Sequence, residues 1–96
     1  MNVLIVHAHP EPKSFTAALR DQAVETLQAQ GHQVRVSDLY AMNWNPVASA
    51  QDFCVRENPE YLVYALEQRR NSKEQTLAAD IQQELDKLLW ADLLIF

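Results

Sequence analysis

Glycine is almost missing from this 96-residue chain, with Gly31 the single example. One glycine cannot build G-x-G-x-x-G or a Walker loop, so both glycine-rich phosphate cradles are excluded. Cysteine is equally scarce. Cys54 stands alone, which rules out an internal disulfide and a cysteine-built zinc cage and fits a reducing cytoplasm. Long apolar runs are lacking too, since nothing approaches the ~20 residues a membrane span needs. The opening apolar run at residues 3–6 halts at His7, with no basic flank before it and no small-residue cleavage site after it. A secretory leader is therefore not expected. Basic residues are outnumbered, 8 Lys and Arg against 13 Asp and Glu, for a formal net charge of -5. That balance repels phosphate backbones at long range and argues against general nucleic-acid binding.

What remains is the composition of a soluble globular domain: 48% hydrophobic, 22% charged, mean hydropathy -0.28. A chain of this length buries about two thirds of its unfolded surface, enough for one modest core. The charge is unevenly spread. Residues 1–48 carry four acids and three bases, whereas residues 49–96 carry nine acids and five bases. An anion site is more comfortable in the first, nearly neutral half.

Val3-Leu4-Ile5-Val6 is a continuous, β-branched-rich run, the mark of a strand covered on both faces. Pro10 and Pro12 then hold residues 7–13 in a stiff loop. Ser14 reads as a helix N-cap. Behind it Phe15, Leu19, Ala23 and Leu27 recur every four residues, with Ala18 beside them, and predict an apolar stripe whose first member ties the turn to the core. Gly31 supplies the left-handed position that stops this helix after Gln30. Residues 33–38 predict a second strand, with Val34 and Val36 facing in and Gln33, Arg35 and Ser37 facing out. Strand, helix and strand with a short return make a βαβ unit in a parallel sheet.

Residues 40–59 are an irregular excursion with one short helical turn near 49–53. Helical spacing resumes with Tyr61, Tyr64, Ala65 and Gln68, breaks at the polar Asn71-Ser72-Lys73, and continues through Leu77, Ile81, Leu85, Leu88 and Leu89. Tyr61, Tyr64 and the leucines read as core packing. Residues 91–96 close the chain as a third strand, and Glu84, Asp86 and Asp92 read as a solvated acidic face.

In open parallel sheets ligands lie beyond the carboxyl ends of the strands, where a helix amino end offers unpaired N–H groups and about half a positive charge. Here that place is the turn carrying His9, Lys13, Ser14 and Thr16. A phosphate or diphosphate suits it, with the amides of Phe15 and Thr16 aimed at the oxygens. A helix cap with a solvated lysine explains the same residues, and both readings stay open on local pattern alone. Asp38 ends the second strand where a ribose-binding acid would stand, but without the glycines a strand-end cap is the simpler role.

Leu4-Ile5-Val6-His7-Ala8-His9 followed by Lys13-Ser14-Phe15-Thr16 resembles the amino-terminal signature of the NAD(P)H:quinone oxidoreductases, flavoproteins of flavodoxin-like fold. The block from Ser37 through Asp38-Leu39-Tyr40-Ala41-Met42-Asn43-Trp44-Asn45 to Pro46 is similar to the family's segment after its second strand, and Ala91-Asp92-Leu93-Leu94-Ile95-Phe96 to its third strand. Residues 55–75 match only loosely. The resemblance implies an α/β doubly wound parallel sheet, represented here by its strand–helix–strand–helix–strand half with strand order 2-1-3. It implies FAD, with FMN as the alternative, reduced by NAD(P)H and reoxidised by a quinone in two-electron hydride transfer. It also implies a homodimer. His9, Phe15 and Thr16, with Ser14 alongside, fall on the family's flavin-diphosphate contacts. Position 16 is commonly Asn in that family, so Thr16 keeps a hydroxyl donor and loses the amide's reach.

Members of the family are about twice as long, still within single-domain size. Residues 1–96 are accordingly expected to be the amino-terminal half of one domain, holding part of the diphosphate site and no catalytic residue. Two further readings are a non-catalytic flavin-binding subunit of an ion-efflux system and an inactive truncated fragment. His7 and His9 are not read as a metal pair, Trp44 is assigned to a dimer seam, and Cys54 reads as a passive thiol.

Overall fold

A continuous aliphatic run needs cover on both faces, and β1, Asn2–His7, has it. In the computed structural model, which describes residues 1–96, Val3, Leu4 and Ile5 are all buried. β1 is the middle of three parallel strands in the order β2-β1-β3, with β2 at Gln33–Asp38 and β3 at Leu93–Ile95. The register sets Val3 between Val34 and Leu93, and Ile5 between Val36 and Ile95. This is the flavodoxin-like order 2-1-3 expected above. The chain divides into two regions, one made of Met1–Asn45 with Asp86–Phe96 and the other of Pro46–Leu85.

In the sheet region, α1 runs Phe15–Ala29 behind Ser14, whose extended backbone and hydroxyl cap it by accepting the Ala17 amide at 3.0 Å. It ends at Gln30 and Gly31, where φ is +89°. A Cβ there would meet nothing within 4 Å, so the backbone angle alone selects glycine. The predicted stripe is corrected. Ala17 is the buried residue of α1, while Phe15 is 78% and Leu19 55% exposed. A row of every fourth residue drifts about 40° per step around a helix of 3.6 residues per turn. Phe15 and Leu27 therefore stand far apart on the wheel. The inward arc passes through Ala17, Arg20, Val24 and Leu27.

β2 carries a second correction: Ser37, expected outside, is 1% exposed, and Lys87 Nζ lies 3.2 Å from its hydroxyl. Arg35, on the exposed side, stacks over the Trp90 ring at 4.4 Å. Asp92 is not simply solvated, since its carboxylate accepts the Asn2 amide at 2.9 Å.

In the Pro46–Leu85 region, the expected turn is a 3-10 helix at Ala50–Asp52, capped reciprocally by Ser49 and Asp52. α2 spans Tyr64–Glu74 and passes straight through the predicted break, ending at Gln75 with φ +58°. The reason is Asn71, fully buried, whose amide donates to the Glu67 carbonyl and whose oxygen accepts the Thr76 hydroxyl and the Val55 amide. α3 follows at Ala79–Trp90, so two helices, not one, lie between β2 and β3. Leu77 precedes α3 and bridges to Phe53. The core assignments are corrected in part. Tyr61, Leu88 and Leu89 are exposed, whereas Tyr64 packs on Phe53 with ring centroids 4.9 Å apart.

Candidate nucleotide-binding turn

The sheet brings the carboxyl end of β1 to a loop, residues 8–14, that leads directly into α1. From Pro10 onward its backbone donors can be accounted for one by one. Pro10 and Pro12 have none. The Glu11 amide donates to His9 Nδ1 at 3.0 Å, the Lys13 amide to Glu11 Oε1 at 2.9 Å, and the Ser14 amide to the Glu11 carbonyl at 3.2 Å. Glu11 is thus the knot of the turn, a role that composition and periodicity did not single out. Ser14 accepts the Ala17 amide with its hydroxyl oxygen and the Ala18 amide with its carbonyl. The amides of Phe15 and Thr16 head the helix, where no preceding turn supplies acceptors.

The four expected site residues therefore divide into different tasks. Ser14 builds the cap, and its hydroxyl faces into the helix. His9 is half-buried, and because its Nδ1 accepts from Glu11, the neutral ring carries its proton on Nε2. Thr16 is exposed and lines a groove. Phe15 contributes its amide, but its ring stands in solvent and does not anchor the turn to the core. The two histidines are differently placed: His7 ends β1 and is buried, whereas His9 belongs to the loop.

The groove has a volume of about 720 Å³ and runs along the ends of β1 and β3 against α1. Ile5, Leu19, Ala23, Ile95 and Phe96 give it apolar walls, while His7, Thr16 and Arg20 are its polar members. The other side of α1 bears a shallower hollow of about 500 Å³, lined by Asp21, Glu25 and Asp38 together with Arg20. Those carboxylates make it unfavourable for an anion. Arg20 is shared, pairing with Asp38 at 3.0 Å and with Asp21 at 3.0 Å. Asp38 is the strand-end cap proposed from sequence, since its Oδ1 also accepts the Ala41 amide at 3.2 Å. Cys54 is exposed, and its thiol donates to the Leu77 carbonyl at 3.5 Å.

A family model described as flavodoxin-like fold matches residues 1–96. The chain is 48% identical over 95 residues to human ribosyldihydronicotinamide dehydrogenase [quinone], covering 98% of this chain and 41% of that protein. It is 45% identical over 94 residues to NAD(P)H dehydrogenase [quinone] 1 of Cavia porcellus, covering 97% of this chain and 34% of the relative. Among solved structures, a provisionally assigned quinone reductase from Klebsiella pneumoniae superposes with a TM-score of 0.95 at 44% identity, covering 100% of this chain and 37% of that one. The chain thus spans between about a third and two fifths of the length of these curated relatives. No helix is long and apolar enough to cross a membrane.

Proposed function

The chain belongs to the family of flavodoxin-like fold, and from that premise we propose that it forms the diphosphate-binding side of a flavin-dependent NAD(P)H:quinone oxidoreductase. Residues 1–96 are then the amino-terminal half of a single domain, with quinone as acceptor and a homodimer as the assembled form. FAD is the preferred cofactor and FMN the alternative. The lone cysteine and the unfavourable span statistics are consistent with a cytoplasmic location.

The observation that carries this reading is the donor inventory of the turn. Two amides at the start of α1, the Ser14 and Thr16 hydroxyls, His9 Nε2 and the Lys13 ammonium remain to receive an anion, after the backbone amides of Glu11, Lys13 and Ser14 have been used inside the chain. That set suits a diphosphate, because helix-end amides are pre-oriented donors that need no glycine when the loop is held open by its own hydrogen bonds. Bound flavin supplies two-electron redox chemistry, accepting a hydride from the nicotinamide and passing it to a quinone. The residues of this chain bind and orient the phosphate end and hold no proton in transit.

The test is flavin retention by the intact natural protein. It is expected to purify yellow or to bind added FAD in a fluorescence titration. Thr16→Ala is expected to weaken FAD by about tenfold or more, the effect of one lost hydrogen bond to a charged group. A folded protein that takes up neither FAD nor FMN would remove this proposal.

A further inference from the structure

One buried polar group in the sheet region has no task in the fold. His7, the last residue of β1, is 5% exposed, and its backbone carbonyl accepts the Leu39 amide at 2.9 Å. Its imidazole makes no hydrogen bond or ion pair within the chain. The ring is not fully shut off from solvent. His7 itself lines the groove between β1, β3 and α1.

The polar side chains of that groove are all donors, and its one cation, Arg20, is already paired on its far side with Asp21 and Asp38. The groove's polar members are His7, Thr16 and Arg20, and no carboxylate lines it although acids outnumber bases 13 to 8 in the chain. An apolar channel with only donors along it suits a ligand that carries its negative charge on a largely apolar frame. Thr16 joins the groove to the amino end of α1, so an anion on the Thr16 amide already lies at the groove's mouth.

We infer that His7 is a further ligand-contacting residue, whose imidazole hydrogen-bonds the phosphate-bearing part of the nucleotide held at the start of α1. This rests on the diphosphate reading above and adds a position to it. It also explains why a polar ring occupies the end of a strand otherwise filled by Val3, Leu4 and Ile5. An unpaired polar group there destabilises the ligand-free fold, and its partner arrives with the ligand.

The experiment compares intact wild-type protein with His7→Leu and His7→Gln, using FAD and ADP as probes. ADP carries the diphosphate without the isoalloxazine. For His7→Leu, the ligand-free protein is expected to melt at a higher temperature than wild type, because an apolar side chain replaces an unpaired polar one. The same variant is expected to bind both FAD and ADP about tenfold more weakly, with His7→Gln recovering part of the loss. Unchanged affinity for ADP in His7→Leu overturns the assignment, whether or not FAD binding changes. A lower melting temperature for ligand-free His7→Leu overturns it as well, since the ring would then have a structural partner. Failure of the wild type to bind either probe defeats the diphosphate reading itself, whereas wild-type binding with unaffected variants defeats only the role of His7.

Discussion

The two regions of this chain differ in the balance of chemistries they bury. In the sheet region the buried side chains are mostly apolar, Val3, Leu4 and Ile5 held between parallel neighbours and Ala17 on α1, with Ser37 and His7 the polar exceptions. Between Pro46 and Leu85 they are Glu67 and Asn71, joined by the single aromatic Phe53. The Glu67 carboxylate accepts the Glu57 amide at 2.9 Å and the Asn58 amide at 3.2 Å, and Arg56 Nε stands 3.3 Å away. The Arg56 contact is an ion pair by distance but is poorly aimed as a hydrogen bond, which leaves Nε unpaired in the strict sense. A sheet organises its own backbone, so its core can be apolar. An irregular segment such as residues 53–59 has backbone amides with no strand to meet, and side chains from α2 must satisfy them.

The sharpest way to break this contrast is Glu67→Ala. It strands two amides and a guanidinium, and a loss of about 4 kcal/mol is expected from a buried pair broken on one side. Chemical denaturation measures the loss, and hydrogen exchange should show the Glu57 and Asn58 amides losing protection first. Leu4→Ala is the matching test in the sheet, expected to cost about 3 kcal/mol through lost burial and a cavity. Should Leu4→Ala prove the costlier by a clear margin, the polar network is secondary and the contrast fails.

Smaller effects refine it. Ser14→Ala removes the cap of α1 and is expected to cost about 1 kcal/mol, read as a lower thermal midpoint. Tyr64 gives the mildest signal. Its hydroxyl donates to Asp52 Oδ2 at 2.6 Å, and this hydrogen bond, then burial, then the Asp52 charge hold its pKa above the ordinary value of 10.0. The folded state therefore keeps the phenolic proton longer than the unfolded chain does. The stabilisation is complete below the ordinary tyrosine value and is lost as pH climbs through the raised one. A pH series should show this decline in the wild type and flatten it in Tyr64→Phe.

Much of the architecture was readable along the chain because its causes are local. The aliphatic run of β1, the Ser14 cap, the Gly31 stop and the Ser49 turn each depend on residues within a few positions of one another. The misreadings share a different cause. Asn71-Ser72-Lys73 has the composition of a break, yet α2 continues because the Asn71 side chain finds Thr76 and the Val55 amide across the loop. Ser37 looked like a solvent-facing residue until Lys87, fifty positions on, supplied its contact. At the candidate site, His9, Ser14 and Thr16 were named from the motif, but Glu11 as the organiser of the turn was not, since three short hydrogen bonds leave no periodic trace.

Local chemistry settles where strands and helices start and stop, because caps, prolines and a positive φ act within one turn of the backbone. Which side of each element lies inward, and which donors remain unspent, depends on partners far away in the chain. Phe15 and Ala17 differ by two positions on the same helix, yet one stands in solvent and the other is buried. They stand about 200° apart around the helix, so the rotation of α1 about its own axis as it packs on the sheet decides which one faces inward.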